Sequence, residues 1–145
     1  DCAEGGLAVA LAECCVADSA RPLGLDVHLS DAQAAPASDA PPRARAAAWL
    51  FGEAQGRIVL SCPEEDVDRV LDVARENDVP AARIGTVGTV EGRFRIAVAG
   101  AGVEASAIDL PVGDVAIEYH EALPRIMEGE PGAVEVAVEH PAMPR

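Results

Sequence analysis

Lysine is absent from this chain of 145 residues, and all 11 of its basic residues are arginine, against 25 acidic residues. The formal net charge is −14 at pH 7. A surface this acidic repels phosphate backbones and anionic headgroups. The sequence therefore predicts that neither nucleic acid nor a membrane is bound through a basic face.

Aromatic residues are also scarce, at 3% of the chain, although hydrophobic residues make up 50%. The core must then be built from Ala, Val, Leu and Ile, which bury less area per residue than aromatic side chains do. We expect a domain of modest stability. No apolar run is long enough to span a bilayer and no signal peptide precedes the first predicted helix, so a cytoplasmic protein is expected.

Neither cysteine nor histidine follows the spacing of a metal site. Cys2, Cys14, Cys15 and Cys62 form no C-x-x-C pair, and buried free thiols are the expectation. The three histidines are widely separated, and no phosphate-binding loop or nucleophile elbow is present. We therefore predict no metal ligand and no catalytic residue in this chain.

Hydrophobic periodicity predicts an α+β fold, with helices packed on a mixed, largely antiparallel sheet. One domain is expected over residues 1–128, with residues 30–43 as a surface loop and residues 129–145 as a tail or an added edge strand. The predicted helices cover residues 5–17, 44–51, 63–79 and 114–127, and the predicted strands cover residues 23–29, 57–62, 82–87, 93–98 and 105–110.

Gly5 and Gly6 open the first predicted helix. A glycine-rich turn at a helix N-terminus can present free amides to an anion. Glycines in this position also serve close packing or an unusual backbone angle. The sequence leaves both interpretations open, the second being the more common one.

Residues 50–57, LFGEAQGR, connect a short helix to a predicted core strand. Glu53, Gln55 and Arg57 would place an acceptor, an amide and a bidentate donor in one loop, which suits the binding of a polar ligand. An ordinary polar turn with Arg57 paired to Glu53 is the alternative.

Together these two segments resemble a known family. Residues 1–13 are similar to the stretch D-x-S-[DE]-G-G-L-x-V-A-L-A-E, and residues 50–57 to the motif L-F-G-E-S-Q-G-R, both from the last domain of the synthetase subunit of phosphoribosylformylglycinamidine synthase. The resemblance extends from Asp1 to about Met127. Ala3 and Ala54 replace the usual serines, so hydroxyl contacts are lost at both motifs.

The resemblance implies the fold of the aminoimidazole ribonucleotide synthetase C-terminal domain. It also implies a role in an ATP-dependent ligase of purine biosynthesis, in which ammonia from a glutaminase subunit or domain reacts with an activated formylglycinamide ribonucleotide. ATP and Mg²⁺ would be bound mainly by other domains of the synthetase subunit, so none is expected on this chain alone. Contacts to substrate or an anion would fall to Glu53, Gln55, Arg57, Gly5 and Gly6.

Two other functions remain open at this point. One is the C-terminal domain of a related ATP-dependent synthetase or kinase of the same superfamily. The other is a stand-alone module whose Ala/Val-rich sheet associates with another copy. The isolated chain is expected to be inactive as an enzyme.

Overall fold

The computed structural model describes residues 1–30, 42–88, 92–98 and 105–128. Four helices and four strands lie in these ranges, with a 3-10 turn at Glu64–Asp66. The helices are α1 (Gly6–Val16), α2 (Pro42–Phe51), α3 (Val67–Glu76) and α4 (Val112–Met127), and the strands are β1 (Gly24–Leu29), β2 (Gly85–Gly88), β3 (Arg93–Val98) and β4 (Ala105–Pro111).

The strands form one mixed sheet in the order β2-β1-β3-β4. β1 pairs antiparallel with β2 and parallel with β3, and β3 pairs antiparallel with β4. The α+β prediction, with a mixed and largely antiparallel sheet, is therefore confirmed. β2 and β3 follow one another in the chain but do not pair, because β1 lies between them.

One predicted strand is wrong. Residues 57–62 belong to no strand of the sheet, although Ile58, Val59 and Leu60 have high strand propensity. Val59 packs against the core, whereas Ile58 and Leu60 are 74% and 60% exposed. The segment alternates as a strand does, but no neighbouring strand lies beside it within the described residues.

The core lies between α1 and one face of the sheet. Helix α1 is apolar almost all round, as its sequence predicts, and it contributes Leu7, Leu11 and Val16 to the buried set. From the sheet, β1 and β3 turn alternate residues inward, among them Val27 and Ile96. α2 and α4 pack against α1 and close this cluster.

Cysteine burial differs from the prediction at one clear position. Cys2 and Cys15 are buried, but Cys14 is exposed because it lies on the outer side of α1. Burial, and secondarily the neighbouring Cys14, raises the pKa of the Cys15 thiol to about 11. Cys15 therefore behaves as a packed core residue.

The other face of the sheet carries charged residues. Register places Thr86, Asp26, Arg95 and Asp109 in one row across all four strands. Asp109 accepts a hydrogen bond from the Arg93 Nε at 2.9 Å, and Arg95 lies 3.5 Å from Asp26 and 3.6 Å from Asp109. Arg93 and Arg95 are therefore matched by carboxylates of the same sheet.

This charge network predicts an acid-sensitive part of the stability. The hydrogen bond from Arg93, with the charges of Arg93 and Arg95, holds the pKa of Asp109 below its ordinary value of 3.8. Because the unfolded chain then binds more protons, the contribution of Asp109 is present above pH 3.8 and is lost as the pH falls through the lower, folded-state pKa. The free energy of unfolding, measured in urea at about pH 7 and at about pH 3, should fall less on acidification for Asp109→Asn than for the wild type. Equal losses in the two proteins would contradict this assignment.

Some expectations fall outside the described residues or are only partly covered. Most of the predicted loop at residues 30–43, the predicted tail at residues 129–145 and His140 are not described. α3 is shorter than its predicted span of 63–79 because a 3-10 turn replaces its first residues. Among the described helices, none is both long and apolar enough to cross a membrane.

Candidate functional site

The two segments that stand out in the sequence meet in the structure. The Gly5 amide donates to the Glu53 Oε1 at 3.1 Å across 48 positions of sequence. The Cys2 amide donates to the Arg57 carbonyl at 3.0 Å, and the Ala54 amide to the Cys2 carbonyl at 3.4 Å. The start of α1 is thereby joined to the loop after α2. We call residues 1–7 and 50–57 the junction.

Both junction glycines have left-handed backbone angles, with φ of 70° at Gly5 and 79° at Gly6. A Cβ built on Gly6 would lie 2.7 Å from the Phe51 carbonyl carbon and 2.8 Å from the Leu50 oxygen. No side chain fits in that space, because the atoms it would meet are backbone. The packing interpretation of the glycine pair is therefore sufficient to explain Gly6.

Glu53 places a negative charge at the positive end of α1. The helix has no acidic residue in its first turn and no side-chain cap of its own. A carboxylate from a distant loop therefore takes the place of a local cap, and it also complements the helix dipole. An anionic ligand at these amides would have to approach the same carboxylate, which opposes its binding.

Arg57 faces the C-terminal part of α2. Its two terminal nitrogens donate to the Trp49 carbonyl at 3.4 and 3.5 Å, and its guanidinium carbon lies 5.8 Å from the centroid of the Trp49 ring. These contacts satisfy a carbonyl near the end of the helix and add a cation–π contact. The Arg57–Glu53 pair considered from the sequence is not formed, since the two side chains take different partners.

Gln55 differs from the other predicted site residues. It is exposed, and its side chain makes no hydrogen bond within the part of the chain that the structure describes. Its amide can both donate and accept. Of the three predicted side chains, those of Glu53, Gln55 and Arg57, only that of Gln55 makes no hydrogen bond among the described residues.

The backbone contacts of Cys2 were not predicted from the sequence. Cys2 is fully buried and bonds through its backbone to both Arg57 and Ala54. Backbone hydrogen bonds do not depend on residue type, so the sequence carries no signal for the contact between Cys2 and residues 54–57. Trp49, whose carbonyl accepts from Arg57, lies next to the junction and packs against the core.

The histidines lie away from the junction. The His120 Nε2 is 2.8 Å from the Val16 carbonyl, where it ties α4 to the last residue of α1. His28 is exposed on the polar face of the sheet beside Asp26. Among the described residues, no three His, Cys, Asp or Glu side chains are grouped closely enough to hold a metal ion.

Comparison with known proteins matches residues 1–98 to the family described as AIR synthase related protein, C-terminal domain. The chain is 36% identical over 135 residues to the phosphoribosylformylglycinamidine synthase subunit PurL of Symbiobacterium thermophilum, covering 88% of this chain and 16% of that protein. It is 34% identical over 134 residues to the PurL subunit of Anaeromyxobacter dehalogenans, covering 88% of this chain and 15% of that protein.

A shorter match has a higher identity. The PurL subunit of Moorella thermoacetica is 49% identical over 88 residues, covering 61% of this chain and 10% of that protein. No solved structure is significantly similar to the chain. The chain spans only about a sixth of the length of the first two relatives. The family match nevertheless covers the junction, α1 to α3 and the first three strands, and it agrees with the resemblance seen in the two motifs. The chain belongs to the AIR synthase related protein family, C-terminal domain.

Proposed function

We propose that the chain is the C-terminal domain of a synthetase subunit that makes formylglycinamidine ribonucleotide for purine biosynthesis. In that reaction ATP activates the formamide oxygen of formylglycinamide ribonucleotide, and ammonia derived from glutamine displaces the phosphate to give the amidine. The observation that carries the proposal is the similarity to PurL subunits over 88% of this chain. The rest of the subunit, a glutaminase subunit or domain, and a cytoplasmic location belong to the same proposal.

Within that subunit we assign the chain a scaffold role, with residues 1–128 as the domain. The support is that the polar groups of the junction are largely used internally: Glu53 caps α1, and Arg57 bonds to the Trp49 carbonyl. This donor set does not suit a triphosphate, since the carboxylate stands where the phosphate would enter and the guanidinium is already engaged. ATP and Mg²⁺ are therefore assigned to other domains of the subunit.

The exposed face of α4 also supports a place inside a larger protein. Val112 begins the face that packs on the core, and the same side of the helix continues into Leu123, Ile126 and Met127. These three side chains are 71%, 65% and 85% exposed. An apolar stripe of this kind is typical of a surface that meets a neighbouring domain.

Two measurements test the assignment of ATP and Mg²⁺ to other domains of the subunit. The reading frame upstream of Asp1 should encode the remaining domains of a PurL-type subunit, and the whole protein with a glutaminase should form the amidine in an ATP- and glutamine-dependent reaction. Isothermal titration of the 145-residue chain with ATP·Mg²⁺ should show no binding. A different upstream sequence, or tight nucleotide binding by this chain, would refute the proposal.

Contact with substrate is the finer part of the proposal: of Gly5, Gly6, Glu53, Gln55 and Arg57, we assign it to Gln55, while the other four hold the junction together. We expect Gln55→Ala in the whole subunit to raise the KM for formylglycinamide ribonucleotide without lowering stability, because the Gln55 amide is not used by the fold. Arg57→Ala should lower stability by about 1–3 kcal/mol, because the Trp49 carbonyl loses a charged donor. If Gln55→Ala leaves both KM and stability unchanged, the proposed substrate contact at Gln55 is wrong.

A further inference from the structure

Residues 57–60 alternate between partly buried and exposed side chains, as a strand does, but residues 58–62 lie in no strand of the sheet. No backbone hydrogen bond joins them to any other residue that the structure describes. A run of unpaired N–H and C=O groups in an apolar segment can act as a template for another strand. Ile58 and Leu60, both largely exposed, lie on one side of this segment, and Val59 lies on the other, against the core.

The junction indicates the direction from which a partner would come. The Cys2 amide bonds to the Arg57 carbonyl, and three residues later the Gly5 amide bonds to the Glu53 side chain. As the chain runs forward from Cys2 to Gly5, its neighbour runs backward from Arg57 to Glu53. The two segments are thus antiparallel, so polypeptide preceding Asp1 on the same course would lie beside residues 58–61.

We propose that residues 58–61 form a strand that pairs antiparallel with the polypeptide immediately preceding Asp1 in the whole subunit. This inference rests on the proposed function, under which the chain continues upstream of Asp1. The relatives are long enough to include such a strand, because about five-sixths of their length lies outside the matched region. A second copy of the chain is a poorer occupant, because copies that each carry a net charge of −14 repel one another.

The pairing predicts which amides would be bonded. The Arg57 carbonyl already points toward the Cys2 segment. In a strand, alternate residues direct both their N–H and C=O groups to the same side, so Val59 and Ser61 would face the added strand. Ile58 and Leu60 would direct their amides away from it. Their side chains would gain cross-strand neighbours on the added strand.

Amide exchange measured residue by residue tests this proposal. The 145-residue chain is compared with the same chain extended by the native residues upstream of Asp1, about six for a typical strand. We expect the extension to slow exchange at the Val59 and Ser61 amides by at least ~100-fold. Unchanged exchange at both amides would overturn the proposal. If the Val59 and Ser61 amides already exchange slowly in the unextended chain, and this protection is lost on dilution, the partner is a second copy of the chain and the proposal is also overturned.

A pair of proline variants provides a matched control. Val59→Pro removes an amide that faces the proposed strand, whereas Ile58→Pro removes one that faces away. The extension should raise the urea midpoint of the wild type and of Ile58→Pro, but not that of Val59→Pro. An equal gain in all three proteins would contradict the register. Neither measurement depends on ligase activity. An inactive subunit with slowed amide exchange would refute only the proposed activity. An active subunit with unchanged amide exchange would refute only the proposed strand.

Discussion

Gly6→Ala is expected to lower the free energy of unfolding by roughly 2–5 kcal/mol, from left-handed strain and overpacking together. With φ of 79°, an L side chain at this position is strained. Its Cβ would also meet the Phe51 carbonyl carbon at 2.7 Å, and that atom cannot turn away as a side chain can. Against a typical domain stability of about 5–15 kcal/mol, such a loss leaves a substantial unfolded fraction. Urea unfolding followed by fluorescence measures it, since Trp49, the single tryptophan, directly precedes residues 50–57 of the junction and packs against the core.

Gly56→Ala is the matched control for this substitution. Gly56 has nearly the same backbone angle, with φ of 76°, but a Cβ built on it meets no atom within 4 Å. Strain without a clash should cost only about 1–2 kcal/mol. Equal losses for Gly6→Ala and Gly56→Ala would show that the start of α1 does not approach α2 as closely as described.

Ile96→Ala is expected to cost about 2–5 kcal/mol, because it removes a buried side chain and leaves a cavity. Ile96 is fully buried on β3, one of the two central strands of the sheet. The core around Ile96 is closely packed, so the space is not refilled without moving its neighbours. The loss is measured by urea unfolding of the 145-residue chain at neutral pH.

Ile58→Ala provides the same chemical change at an exposed position. Since Ile58 is 74% exposed, its truncation in the 145-residue chain should alter stability by no more than about 0.5 kcal/mol. The sequence predicts a buried strand at residues 57–62, whereas the structure predicts this small effect. A loss at Ile58 that matches the loss at Ile96 would support the sequence-based prediction.

The elements that the sequence predicts well are those with a strong local pattern. α1 and β3 are marked by an apolar run and by strict alternation, and both lie within a few residues of their predicted bounds. Strand order could not be predicted in the same way. β1 enters between β2 and β3 through backbone pairing, which depends on residues far apart in the chain and leaves no periodic pattern.

The candidate site shows the same limit. Both motifs of the junction are conspicuous in the sequence, because paired glycines and a Glu/Gln/Arg loop are unusual in an Ala/Val-rich chain. Their meeting is not predictable locally, since Glu53 reaches Gly5 across 48 positions. The choice of Trp49, and not Glu53, as the partner of Arg57 depends on the course of α2 after it is packed on α1.

The parallel pairing of β1 with β3 constrains the order in which the protein can assemble. Leu25 pairs with Phe94, and Leu29 with Val98, so the central ladder joins segments separated by about 70 positions. Closing a loop of that length carries an entropic cost that contacts near in sequence do not, which slows folding. On a ribosome, β1 would have to wait until β3 has emerged from the exit tunnel before the centre of the sheet could form. Until then the apolar α1 would have little to cover it, so the early nascent chain is the stage at which this domain is most exposed to aggregation.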